Sequence, residues 1–349
     1  MTVDELVEQV QQGETIMKVD FRGQDLSGAR LSGGVFIGVD FRGCALDGVD
    51  MRESVFDGCS FDGARMEGAN LRMATLHKCF LNLVDLSNAN LFSAKINESD
   101  FTEANFSYAN LCTTPFCQCK LNGAIFSGAN LDRTAFIDSE TQNIDFSNCV
   151  LKQTVLYKAQ LSTAKLDNAS FELTVFIEAD LRGMNLQGQS LRVCQFTNAD
   201  LSGCDLSGAD LTQCNFSDAN LENTRLQGVL ANNALFLNAK LAGADFQRGR
   251  FYQSIFMGAD ASGVNFSGSE MQQCIFTDAN CERAGFSSCD LTYADFSHAN
   301  LTSADFSGAS LFRTKLHQIQ DQDTLFTDRS AALGDDKELA EAENFQPRH

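Results

Sequence analysis

The chain has 349 residues, 44% of them hydrophobic, which is ample for a buried core and excludes a disordered polyelectrolyte. Lysine and arginine number 26 against 46 acidic residues, and the formal net charge of -20 disfavours direct binding to nucleic-acid phosphates or anionic lipid. The amino terminus has no basic patch ahead of an apolar run, and no segment approaches the ~20 apolar residues that cross a bilayer, so the sequence predicts a cytoplasmic protein without a membrane span.

The first predicted element is a short helix from Thr2 to Gly13. Thr2 caps it with Glu5 three places on, Val3, Leu6, Val7 and Val10 form an apolar stripe, and Gly13 stops it. Residues 1–15 are therefore expected to be a helical cap over the open end of whatever core follows, where unpaired strand edges invite aggregation.

From Phe21 to Leu316 the sequence falls into 60 pentads whose first residue is Phe, Leu, Met or Ile at all but Thr141, Ala231, Ala261 and Cys281. Two places before each of these centres stands a small residue, often Ala, as at Ala199, Ala209 and Ala219, and Asp or Asn often separates the two. A stripe of period five rotates around a helix of 3.6 residues per turn, so no single helix face can bury it. A solenoid can, if each pentad is one side of a coil.

The stretch GCDLSGADLTQCNFSDANL, residues 203–221, carries this pattern nearly unbroken and resembles the pentapeptide repeat family, whose motif is A(D/N)LXX. The resemblance covers about 300 residues. It implies an all-β fold, a right-handed parallel β-helix of square cross-section with four pentads per coil, the centres and the small residues pointing inward. On that basis residues 16–320 are expected to form about 15 coils, a rod of roughly 70 Å at a strand spacing of about 4.8 Å. Residues twenty apart then stack: Phe176, Phe196, Phe216, Phe236, Phe256, Phe276 and Phe296 make one ladder, and Phe246, Phe266, Phe286 and Phe306 another on the opposite face. Ala261 and Cys281 lie between the ladders, where close packing leaves no room for a large centre.

Chemistry-bearing residues are expected to be structural. Of the 13 cysteines, Cys44, Cys59, Cys79, Cys119, Cys149, Cys194, Cys204, Cys214, Cys274 and Cys289 occupy the small inward place, where Cys stands in for Ala. Stacked pairs such as Cys59/Cys79 and Cys194/Cys214 would sit at about 4.8 Å, wider than a disulfide prefers. Cys112 and Cys117 are read as pointing outward, and CTTPFCQC lacks a fourth metal ligand. His77, His298, His317 and His349 are scattered, although His298 and His317 fall on adjacent coils. No catalytic, cofactor or metal residues are therefore assigned. Glycines such as Gly183, Gly203 and Gly243, or Gly188, Gly208 and Gly228, recur two places after centres, where a corner calls for positive φ. Beyond Leu316 the frame decays, and residues 321–349 form an acidic tail that either caps the solenoid or hangs free.

The outward positions next to the centres differ by face. On the face of Phe36, Phe176 and Phe256, twelve of thirty are Val, Ile, Leu or Met, against three of ninety (Ile125, Val150 and Leu230) on the other faces. Val155, Tyr157, Val175, Ile177, Leu235, Leu237, Ile255, Met257 and Ile275 are the candidate interface. Stacked strands themselves favour β-branched residues, but a contiguous exposed apolar strip also marks a partner surface. The reading is a non-enzymatic scaffold that docks another protein or a second copy. Family resemblance offers an alternative, a DNA-shaped modulator of a type II topoisomerase such as gyrase, though fewer than a third of the roughly 40 charges of a ~70 Å duplex are present on the coils. A secreted effector or an adaptor for one is a further alternative.

Overall fold

The computed structural model describes residues 1–345, and the chain divides into two compact units, Met1–Asp180 and Leu181–His349. Each is a parallel β-solenoid with four pentads per turn.

The first unit opens with α1 (Val3–Gln11), which buries Leu6 and Val10. Its capping box is formed in both directions: Glu5 N–H donates to Thr2 Oγ1 at 3.2 Å and Thr2 N–H to Glu5 Oε2 at 2.8 Å. Then follow β1 (Thr15–Met17), β2 (Val35–Ile37), β3 (Val55–Asp57), β4 (Thr75–His77), β5 (Lys95–Asn97), β6 (Pro115–Cys117), β7 (Ala135–Ile137), β8 (Val150–Lys152), β9 (Val155–Tyr157) and β10 (Ser170–Glu172). Strands β1 to β7 and β9 make one eight-stranded parallel sheet, and β8 pairs with β10 on another side. The register is twenty: Val35 pairs with Val55 and Phe36 with Phe56. Phe36 and Phe56 stack at 4.9 Å and meet the Phe41–Phe61 stack edge to face. Further along, Phe106–Phe126 and Phe116–Phe136 stack and cross at 89° between Phe116 and Phe126. The aromatic partner of the first face thus shifts from an adjacent side to the opposite one.

In the second unit most sides are single bridges separated by turns, with β11 (Asp305–Phe306) pairing with β12 (Leu325–Phe326) near its end. The pattern of hydrogen bonds is regular: Leu201 N–H donates to Asn220 O at 2.7 Å, Asn220 N–H to Ala199 O at 2.9 Å, and Cys204 N–H closes the corner on Leu201 O at 3.0 Å. That corner is a turn whose third residue has positive φ, +69° at Gly203. Every side of the square therefore carries ladder bonds, which leaves few backbone groups unpaired. Phe216, Phe236, Phe256, Phe276 and Phe296 stack at 4.6–5.1 Å, and the opposite ladder of Phe266, Phe286 and Phe306 meets them nearly perpendicular. Ala231, Ala261 and Cys281 are fully buried.

The two units together have about 16 turns, close to the expected 15: stacking begins at Ile16 and the last stacked centre is Phe326. Past that point the spacing contracts, with Lys315 bridging Leu333, eighteen residues on. The chain then forms α2 (Lys337–Glu343), capped by Asp336, whose side chain accepts from Leu339 N–H at 3.1 Å. The tail is thus folded against the second unit through Glu343, which reaches His298, His317 and Gln318. His349 lies outside the described residues.

Candidate interaction surface

The inward small place does more than fill space. Cys204 Sγ donates to Leu181 O at 2.9 Å and Cys214 Sγ to Leu191 O at 2.8 Å, each spanning twenty-three residues. Thr134 and Thr224 make the same bond from their hydroxyls to Leu111 O and Leu201 O. Cys at this place is therefore closer to Ser or Thr than to Ala. None of the thirteen cysteines is in a disulfide. Burial pushes Cys149 and Cys289 up to about 11 and Cys119 up to about 12, so these thiols are protonated and inert near neutrality. Cys112 points outward, as read from sequence, but is covered by surface side chains: its sulfur lies 3.7 Å from Asp132 Oδ2, and Arg133 Nη2 donates to it at 3.8 Å. Among the described residues, Cys112, Cys117 and Cys119 do not converge into a metal-holding group.

Carboxylates beside the centres are largely engaged locally. Asp20 is bound by Arg22, whose guanidinium and amide hydrogen bonds hold its carboxyl down at about 2. Arg42 pairs with Asp40, Arg52 with Asp50, Arg192 with Asp210 and Arg225 with Asp205. Asp205 also accepts from Ser207 N–H at 3.0 Å, and the hydrogen bonds of Ser207 lower its pKa.

The nine apolar candidates all point away from the core, but eight of them are half-buried and only Met257, at 41%, is exposed. The first unit holds Val155, Tyr157, Val175 and Ile177. Val155 and Tyr157 are part of β9, in register with Ala135 and Ile137 of β7, and Val155 also bridges Val175. Tyr157 is shielded by Lys158, whose ammonium lies 4.8 Å from the ring centroid, and its hydroxyl donates to Glu178 at 3.2 Å. In the second unit Leu235 bridges Ile255 and Ile255 bridges Ile275, so three branched apolar rungs stack directly. Leu237 and Met257 stand one place beyond the centres Phe236 and Phe256, within turns closed by Ala239 N–H to Phe236 O and Ala259 N–H to Phe256 O.

Other exposed apolar side chains escaped the sequence reading because its comparison of faces counted only Val, Ile, Leu and Met adjoining the centres. In the first unit Leu83 (64%) and Tyr108 (70%) occupy the positive-φ corner and Phe80 the place before a centre. In the second unit Tyr293 meets Phe312 edge to face at 5.7 Å, both exposed.

Register, stacked centres and corner geometry define a class, the pentad-based parallel β-solenoids. The Pentapeptide repeats family model matches in successive segments, most of them overlapping, between residue 17 and residue 318, and the chain belongs to that family. Among solved structures it is similar to HetL, a pentapeptide repeat protein involved in heterocyst differentiation regulation in Nostoc sp. strain PCC 7120, at 19% identity over 90% of this chain and 96% of that one, with a TM-score of 0.26. It is also similar to full-length QnrB1, a plasmid-mediated fluoroquinolone resistance protein, at 20% identity over 66% and 92% of the two chains, with a TM-score of 0.33. A pentapeptide repeat protein from the Arabidopsis thaliana thylakoid lumen is 23% identical over 31% and 68%, with a TM-score of 0.22. No curated protein matches the sequence. Among the described residues no helix is long and apolar enough to cross a membrane.

Proposed function

We propose that this repeat protein is a non-enzymatic scaffold that docks a protein partner, foreign or a second copy, through the outward apolar side chains of the Phe236–Phe256 face. The observation that carries the reading is the stack Leu235–Ile255–Ile275 with Leu237 and Met257 beside it. In the first unit, Val155 and Tyr157 lie in a regular sheet, where β propensity alone accounts for branched and aromatic residues. The second-unit residues sit at isolated bridges and turns, where a Leu or Met gains little from strand preference, so a partner is the better reason for them. Val175 and Ile177, also at a bridge and a turn, belong with this reading in the first unit.

The test compares wild type with Leu235→Glu/Ile255→Glu and with Val175→Glu/Ile177→Glu, using light scattering for self-association and pull-down for foreign partners. Folding should persist because these side chains leave the core, while association should fail because an unpaired charge buried in an interface costs several kcal/mol. Folded variants with unchanged association would defeat the proposal.

The net charge of -20 supports a second reading, a DNA-shaped modulator of a type II topoisomerase. Pairing of Asp40, Asp50, Asp205 and Asp210 with arginines weakens it by neutralising much of the local charge. A salt-sensitive inhibition or protection of gyrase supercoiling would favour it, and no effect in low salt would remove it.

A further inference from the structure

His298 and His317 sit on successive turns of the second unit, where His298 N–H donates to His317 O at 2.9 Å and the two rings meet edge to face at 5.4 Å. Helix α2 brings Glu343 onto the pair. Its Oε1 lies 3.2 Å from His298 Nε2 and its Oε2 3.3 Å from His317 Nε2, and one ligand atom from each residue falls within 4.8 Å of the other two. The His317 side chain is 3% exposed, whereas those of His298 and Glu343 are 31% and 32% exposed.

We infer that His298, His317 and Glu343 form a site for a divalent transition-metal cation of the zinc class, which fastens α2 to the turns carrying the two histidines. Two imidazole nitrogens and a carboxylate oxygen suit such an ion and not magnesium or calcium, which favour all-oxygen shells. Donors about 2.0–2.1 Å from a shared ion in tetrahedral array lie about 3.3–3.4 Å from one another; each imidazole nitrogen is at that distance from one Glu343 oxygen, Oε1 for His298 and Oε2 for His317, and the donor set, which spans up to 4.8 Å, closes further around the ion. The open side at His298 and Glu343 gives the ion an entry path and room for a water as fourth ligand.

Loading changes the hydrogen bonding around His317. Asp336 N–H donates to His317 Nδ1 at 3.0 Å, so in the cation-free state the ring proton is on Nε2 and faces Glu343. Coordination through Nε2 moves that proton to Nδ1 and leaves the ring neutral, so the bond that Nδ1 accepts from Asp336 N–H must break, since two N–H groups cannot face each other at 3.0 Å. The Asp335 carboxylate, 3.9 Å from Nδ1, is then the group placed to accept it, the usual outer partner of a ligating histidine. Because Asp336 caps α2, the rearrangement is felt by the helix start.

The experiment uses the full chain without a histidine tag, stripped with chelator and titrated calorimetrically with zinc chloride, with magnesium chloride as control. Wild type should bind one equivalent of zinc. His298→Ala and Glu343→Gln, both at partly exposed positions, should keep a cooperative solenoid melt without zinc yet bind zinc at least ~10-fold more weakly. Zinc should also slow amide hydrogen exchange over 337–343 in wild type and not in either variant. Equal zinc affinity across the three proteins, or the absence of a saturable site in wild type, would overturn the assignment and leave a latch of hydrogen bonds alone.

Discussion

Phe216 stacks at 4.9 Å on Phe196 and at 5.1 Å on Phe236 and is fully buried. Phe216→Ala should cost about 3 to 5 kcal/mol in denaturant melts, since a rung deleted between two others leaves a cavity that stacked neighbours cannot close. At Cys204 the sequence suggests that Ala is an equal filler, but the bond from its sulfur to Leu181 O changes that expectation. Cys204→Ala should lose about 0.5–1.5 kcal/mol and Cys204→Ser, which keeps a donor, less; equal stability of all three in urea would show the bond to be worthless. Val193 holds φ at +61°, a conformation that a β-branched residue adopts at a cost of roughly 1–2 kcal/mol. Asn fills the same corner two turns on, at Asn233. Val193→Asn should therefore raise stability by up to about 1 kcal/mol and shift thermal melting upward.

Among the elements, α1 depends on its reciprocal cap because only Leu6 and Val10 of its apolar stripe are buried, with Val3 and Val7 half-buried. Thr2→Ala should cost about 0.5–2 kcal/mol of helix stability, read as faster amide exchange over 3–11. The turns carry a pH signature of their own. Asp20 and Asp205 have folded pKa values lowered by hydrogen bonds from Arg22 and Ser207. A lowered folded value means that stabilisation is complete above the ordinary carboxylate range near 4 and is lost as pH falls through the folded value. Denaturant midpoints should hold from pH 7 to about 5 and decline from about 4 toward 2. A midpoint that rose on acidification would contradict these turns.

At the scale of the whole molecule, the five-residue period was sufficient to assign a solenoid, because no other regular backbone keeps one residue in five on an inner wall over 60 pentads. The ladders of Phe216 to Phe296 and Phe266 to Phe306 could be read from a spacing of twenty once four pentads were taken per turn. The candidate surface was legible only in part. Sequence placed Leu235, Ile255 and Ile275 outward, yet stacking at a fixed register leaves each rung half covered by its neighbours, which composition cannot show. Glu343 meets His317 and His298 across 26 and 45 residues of chain, and no local pattern announces such a contact.

What the sequence determined by itself is the repeating part: inward centres, positive-φ corners and small inner residues, each set by constraints that act within a pentad or between pentads twenty apart. Tertiary structure alone decided where the period ends and what closes it. The contraction that pairs Lys315 with Leu333 brings Asp336 to His317 and lets α2 turn Glu343 back onto the rings. It also decided that Cys112 is covered and that Cys204 is a donor, because both depend on atoms about twenty residues away in sequence that only the stacking of turns brings within reach.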